Sequence, residues 1–287
     1  MFIARTRSFV MNRYLNRLLN VMLDRKLKRA ALLFCLTVLV AACAHAAYTN
    51  RNQLLLISEG QEMQLGLQAS NDVLKKEKES HDQMQVERVK RIGRRIAVAA
   101  NKPEYKWEFH LIEKNEVNAF CLPGGKVFVY TGILNLATSN DELAAVMGHE
   151  IAHALERHGG ERMSTALMLQ FGGQAASVAL GAGTSPAVGQ VFSQAYGVGA
   201  QVGVLLPHSR TQESEADEVG MIIAAKAGYE PSGALTLWRK MDAYQKSKGQ
   251  STPAFLSTHP ASQQRIADIQ AKMGAIRAQY FQPQYLN

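Results

Sequence analysis

At 287 residues, 47% hydrophobic and 20% charged, the chain can bury a substantial core and has the ordinary composition of a globular protein. Its net charge of +8 invites a nucleic-acid partner, but residues 1–42 hold eight Lys and Arg against Asp24 alone, and the rest is nearly neutral. No nucleic-acid partner is implied. Cys35, Cys43 and Cys121 are too few and too scattered for a disulfide framework.

The basic excess belongs to a leader. Arg25 to Arg29 precede an uncharged apolar run from Ala30 to Ala42, short for a membrane span and right for the apolar part of a signal peptide. Translation can begin at Met22 or Met11 without loss to such a signal. The run ends Leu39-Val40-Ala41-Ala42-Cys43, which looks like a bacterial lipobox. Residues 1–42 are therefore expected to be a lipoprotein-type signal peptide, with Cys43 lipidated and residues 43–287 forming one domain. With Ala44 next, this resembles a Gram-negative outer-membrane lipoprotein facing the periplasm and held there by its lipid. Ala44-His45-Ala46 also fits ordinary cleavage, which would give a soluble periplasmic product.

Residues 48–100 read as a scaffold helix pair. Leu54, Leu55, Ile57, Met63, Leu65, Leu67 and Val73 are interleaved with polar residues; after a polar stretch from Lys75 to Gln85, Val86, Val89, Ile92 and Ile96 keep helical spacing. Strands are expected at Lys106–Ile112, where Trp107, Phe109 and Leu111 alternate with polar residues, and at Lys126–Tyr130, with Pro123-Gly124-Gly125 as the bend. The last strand is expected to flank the helix that follows and to accept an extended peptide by strand addition; a purely structural hairpin is the alternative. Cys121 is either a small buried hydrophobe or a reactive thiol.

Ser139 and Glu142 form a capping box that starts the next helix, and Leu143, Val146, Met147, Ile151, Ala154 and Leu155 give its apolar stripe. That helix carries His149-Glu150-Ile151-Ala152-His153. Residues four apart share a helix face, so two imidazoles can bind one ion while Glu150 reaches a water beside it. This is the H-E-x-x-H zinc-hydrolase arrangement. A metzincin would need Gly at 156 and His at 159, but Glu156 and Gly159 stand there. His158, one residue out of register, is read as a surface or supporting residue. Glu213 and Asp217 share a face of a later helix, so one can bind metal while the other accepts an N–H from a ligating histidine. Glu215, between them, is expected to be solvated.

Together with that motif, Asn118-Ala119-Phe120, Pro123-Gly124-Gly125, Glu213 to Asp217, and Thr258-His259-Pro260 followed by Arg265-Ile266 resemble metallopeptidase family 48. This is a gluzincin family, and the likeness is to its bacterial LoiP- and BepA-like outer-membrane members. The resemblance implies one Zn²⁺ per subunit, with His149, His153 and Glu213 as ligands, Glu150 as general base and Asp217 behind the ligands. His259 would approach the zinc as a fourth ligand that holds the enzyme shut. It further implies a metalloendopeptidase acting on misfolded or misassembled envelope proteins. The alternative is a periplasmic chaperone or assembly factor for outer-membrane proteins, with a latent protease and the outer-membrane assembly machinery as partner. A purely structural zinc site is disfavoured by Glu150 and an open coordination position. With Asn287 soon after the last helix, no helical repeats of the BepA type are expected, which would make the chain nearer the short LoiP type.

Met163 to Ser209 contains no Lys, Arg, Asp or Glu. Its glutamines, glycines and Pro186 argue against a membrane span, and helices forming a lid or a membrane-facing surface are expected. Gly228 should stop the Glu213 helix, Pro231 suits the start of the next, and Ala261 to Tyr280 closes the domain, with Trp238 and Met241 in the core. The expected fold is α+β, mainly α: a zincin-like domain with a small sheet whose edge strand flanks the zinc helix.

Overall fold

The computed structural model describes residues 43–171, 191, 208–247 and 253–283. The expected leader, and most of the uncharged stretch after residue 171, lie outside the described residues. The described chain is α+β and mainly helical, as expected, and the residues from His45 onward form one unit.

The expected helix pair is present, with its start displaced. Asn52–Leu54 is a short strand, and Leu55 and Ile57 precede helix α1, Glu59–Lys76, which Ser58 and Gln61 begin with a reciprocal capping box. Helix α2, Gln83–Ala100, is capped by Asp82 and stops at Asn101, which turns into the left-handed region at φ 48. Asn tolerates that conformation better than most side chains.

Three strands follow: β1 Glu108–Ile112, β2 Ala119–Leu122 and β3 Lys126–Tyr130. The order is β1-β3-β2, with β1 parallel to β3 and β2 antiparallel to it. This corrects the expectation on two points. A third strand, β2, runs through residues read only as a motif, and the last strand is central, not an edge. The outer side of β1 is bridged by Ser80 N–H to the Leu111 carbonyl at 2.8 Å and Glu113 N–H to the Lys78 carbonyl at 2.8 Å. The edge that flanks the next helix is β2.

Both faces of this sheet are covered, which explains why β2, and β3 after Lys126, are apolar and show no alternation. Phe109, Leu111, Cys121, Val127 and Val129 pack with α2 and the helix after the sheet. Phe120, Leu122, Phe128 and Tyr130 pack with Leu65, Ala69 and Val73 of α1 and with Met163 and Leu167.

Helix α3, Asn140–Leu155, has the expected Ser139–Glu142 box and is almost wholly buried. It lies against β2, α2, α5 (Arg210–Lys226) and α6 (Ser232–Ser247). Leu143, Val146, Met147 and Ile151 meet Val219, Ile223, Trp238 and Met241 in one core. The α3–α5 crossing is set by two glycines. A Cβ on Gly148 would stand 2.8 Å from the Gly220 carbonyl oxygen, and one on Gly220 would stand 2.9 Å from the His149 nitrogen.

The turn after α3 holds Arg157 at φ 55, an uncommon region for a long side chain. The guanidinium is fixed there by Glu62, Nε to Oε1 3.1 Å, and by the Ile57 carbonyl at 2.7 Å. The chain reverses into α4, His158–Phe171. Two further helices, α7 Ala254–Thr258 and α8 Gln263–Tyr280, complete the unit, and Gly228 ends α5 at φ 86. Among the described residues no helix is long and apolar enough to cross a membrane.

Candidate metal centre

His149 and His153 project from α3, Glu213 from α5, and His259 from the end of α7; all four are buried. One potential ligand atom from each falls within 4.8 Å of the others. His149 Nε2 is 3.1 Å from His153 Nε2 and 3.2 Å from His259 Nδ1, and Glu213 Oε1 is 2.9 Å from His259 Nδ1 and 3.3 Å from His153 Nε2. Three imidazoles and a carboxylate converging at these distances make a donor set suited to a cation of the zinc type.

The groups behind the cluster set which nitrogens face it. Asp217 Oδ1 lies 3.0 Å from His149 Nδ1, which therefore carries the proton and leaves the Nε2 lone pair toward the cluster. Asp217 is held by Arg265, Nε to Oδ2 2.6 Å and Nη2 to Oδ1 2.7 Å, while Arg265 Nη1 is 2.6 Å from Glu213 Oε2. The sequence offered Arg265 only as part of a resemblance; its clasp on both carboxylates is a finding of the structure.

Glu150 is buried beside the cluster, and its Oε1 has no hydrogen-bond partner among the described residues, with His259 Nε2 3.6 Å away. Burial raises its pKa against the pull of His259 and His149. For Glu213, burial also pushes upward, but the His259 and Arg265 charges override it and hold the carboxyl well below the usual range. Asp217 is likewise lowered, burial being outweighed by Arg265 and His149. Burial drives His153 well down, to the neutral form a metal requires. His259 is raised, because Glu213 and Glu150 outweigh its burial.

Of the two readings of His158 the supporting one holds: it is fully buried, with Nδ1 2.8 Å from His153 Nδ1. The expectation for Glu215 fails. Glu215 is not left to solvent: its Oε2 is 3.0 Å from His158 Nε2, and Arg51 Nε is 2.8 Å from its Oε1. A periodicity argument along one helix has no view of a contact made across two elements. The His208 ring lies tilted against that of His153, 3.8 Å between centroids, and stands with His158 as a further His grouping, but the Arg162 guanidinium lies against it, where a cation would be repelled.

A model of peptidase family M48 matches residues 83–273. The chain belongs to peptidase family M48. It is 39% identical over 182 residues to the mitochondrial metalloendopeptidase OMA1 of Schizosaccharomyces pombe, which is 63% of this chain and 51% of that relative. The human metalloendopeptidase OMA1 is 33% identical over 165 residues, 57% of this chain and 32% of the relative. The beta-barrel assembly-enhancing protease of Escherichia coli is 28% identical over 224 residues, 77% and 45%. The chain spans about half or less of the length of these relatives. M48 membership places it among the metalloproteases, and the bacterial likeness holds only in part.

The expected placement as a Gram-negative outer-membrane lipoprotein is overturned by these relatives, since those between 33% and 39% identical are mitochondrial metalloendopeptidases of fungi, a plant and vertebrates. A basic, acid-poor leader is common to secretory and organellar targeting segments, so the leader's composition did not discriminate between them.

Proposed function

We propose that the protein is a zinc-dependent metalloendopeptidase that hydrolyses peptide bonds in unfolded or misassembled proteins. The observation that carries this reading is the meeting of His149, His153 and Glu213 beside a buried Glu150 oxygen without a hydrogen-bond partner. The family membership and the metalloendopeptidase relatives support it.

His149, His153 and Glu213 would hold the zinc, which when bound supplies Lewis acidity toward the scissile carbonyl and toward water. Glu150 takes the proton of the attacking water and returns it to the leaving amine, and burial raises its pKa in the direction that strengthens it as a base. Asp217 and Arg265 fix the His149 ring and the Glu213 carboxylate in place. The β2 edge beside α3 offers main-chain hydrogen bonds, so an extended segment of loosely defined sequence can lie against it.

His259 gives this protease a latent state. Its Nδ1 lies among the ligand atoms, 2.9 Å from Glu213 and 3.2 Å from His149, where it takes the place a substrate needs. A chaperone or assembly factor with a closed protease site is therefore the second reading, and the assembly-enhancing name of the Escherichia coli relative is in keeping with it.

Cleavage of casein by the purified, zinc-loaded protein, beside Glu150→Gln and His259→Ala, tests both. A gated protease loses cleavage in Glu150→Gln and keeps or gains it in His259→Ala. No cleavage by the wild type or by His259→Ala, with zinc bound, would transfer the function to the chaperone reading.

A further inference from the structure

His153 has the protonation problem of every ligating histidine. Only the neutral ring with its proton on Nδ1 presents the Nε2 lone pair to a metal. His149 is given that form by Asp217. Among the described residues no carboxylate stands behind His153; its Nδ1 faces another imidazole, that of His158, at 2.8 Å. Two ring nitrogens at that distance must share one proton, and the contact alone does not say whose it is.

The far side of His158 decides it. His158 Nε2 is 3.0 Å from Glu215 Oε2, and a carboxylate only accepts, so His158 Nε2 carries the proton. In the neutral ring that leaves His158 Nδ1 as an acceptor. The proton between the two rings then belongs to His153 Nδ1, and His153 Nε2 is left bare toward His149 and Glu213. The reverse arrangement would set a His158 lone pair against Glu215 and close His153 to metal.

Glu215 is itself fixed. Arg51 Nε reaches its two oxygens at 2.8 and 3.0 Å, the Thr49 hydroxyl donates to Oε1 at 3.1 Å, and the same Arg51 pairs with Glu161 at 2.6 Å. The single Thr49 hydroxyl proton is shared with Glu156, just past the end of α3, whose Oε2 lies 3.0 Å away.

We infer that His158 is a positioning residue for metal binding, relaying the orientation of Glu215, and through it of Arg51, to His153. Glu215 and His158 do for His153, in two steps, what Asp217 does for His149 in one. The segment at Thr49 to Arg51 is thereby part of the metal site's support although it touches no ligand. The inference rests on His153 being a ligand, as proposed above.

The test reads the relay with and without metal. In the zinc-free protein, long-range ¹H–¹⁵N imidazole correlations should show His153 protonated on Nδ1 and His158 on Nε2. In His158→Leu the His153 preference should be lost and zinc affinity, by chelator competition, should fall about 10- to 100-fold, the usual cost of removing such a partner. His158→Gln, whose side-chain oxygen can accept the same proton, should return most of that affinity. A zinc-free wild type with His153 protonated on Nε2 would overturn the relay, and so would a folded His158→Leu that binds zinc within twofold of wild type. The wild-type spectrum needs no variant, so a poorly folding His158→Leu leaves the inference open to refutation. A wild type that binds no zinc would sink the proposed function, while the two tautomers would still decide the relay.

Discussion

Arg265 and Asp217 form a fully buried side-on pair, two nitrogens of one facing two oxygens of the other at 2.6 and 2.7 Å. The guanidinium also sits over the Trp238 ring, its central carbon 3.3 Å from the ring centroid. Planarity serves both contacts at once, which an ammonium cannot do. Burial works against the charge, but Asp217 and Glu213 outweigh it and keep the guanidinium protonated. Arg265→Leu leaves two carboxylates buried without their cation and should cost about 3–5 kcal/mol, read as a lower urea midpoint. Arg265→Lys should recover only part of that stability. A stable Arg265→Leu protein would mean that Asp217 and Glu213 are balanced by something else.

The α3–α5 crossing gives a prediction of different origin. Gly148 and Gly220 let the two backbones approach, and that approach is what brings Glu213 to His149 and His153. Gly220→Val should destabilise the protein by about 1–3 kcal/mol as an overpacked contact. It should also weaken zinc binding more than an equally destabilising change remote from this crossing. Chelator competition on the two variants, matched for urea midpoint, separates the effects.

The helix that carries His149 and His153 was legible because every local signal agreed: a capping box, an apolar stripe and i, i+4 ligand spacing. Glu213 and Asp217 were legible by the same periodicity. In the sheet, Glu108–Ile112 and Lys126–Tyr130 were legible as strands, but Ala119–Leu122 is buried on both faces and carries no alternation, and the parallel pairing of Glu108–Ile112 with Lys126–Tyr130 is set by contacts on either side of the sheet. The choice between a surface and a supporting place for His158 is made by the backbone. Arg157 turns left-handed at φ 55, anchored by Glu62 far away in the chain, and that turn swings His158 back toward His153. Gly159-Gly160 signals a break nearby, but the residue that turns left-handed is the arginine before His158, not a glycine.

Acid should loosen the start of α3. Glu142 accepts from Thr138 N–H at 2.8 Å and Ser139 N–H at 3.0 Å and meets Lys240 Nζ at 2.6 Å. Burial pushes its pKa up, but Lys240 and these hydrogen bonds leave it below 4.5. A depressed folded pKa contributes stability that is present above the unfolded value and is lost as pH falls through the folded one. Glu142→Gln should therefore be less stable than wild type by about 1 kcal/mol at pH 7. The difference should shrink as pH falls below 4.5. Paired urea titrations across that range check it; a constant gap would remove the charge from the account.

Cys121 resolves toward the inert alternative. It is buried on β2, and burial, with the Glu150 charge, raises its thiol well above the ordinary range. A thiolate is the reactive form, so iodoacetamide at neutral pH should leave Cys121 unlabelled in the native protein and label it fully in denaturant. Labelling of the native protein at the rate of a free thiol would contradict its place in the core.

The central claim is that His149, His153 and Glu213 hold one zinc for which Glu150 moves protons. Its most direct measurement is zinc content per chain, by elemental analysis, together with casein cleavage, on wild type, Glu213→Ala and Glu150→Gln. The expected result is one zinc in wild type and in Glu150→Gln, loss of zinc in Glu213→Ala, and cleavage reduced about 10²- to 10⁴-fold in Glu150→Gln. Full zinc in Glu213→Ala, or undiminished cleavage in Glu150→Gln, would contradict it.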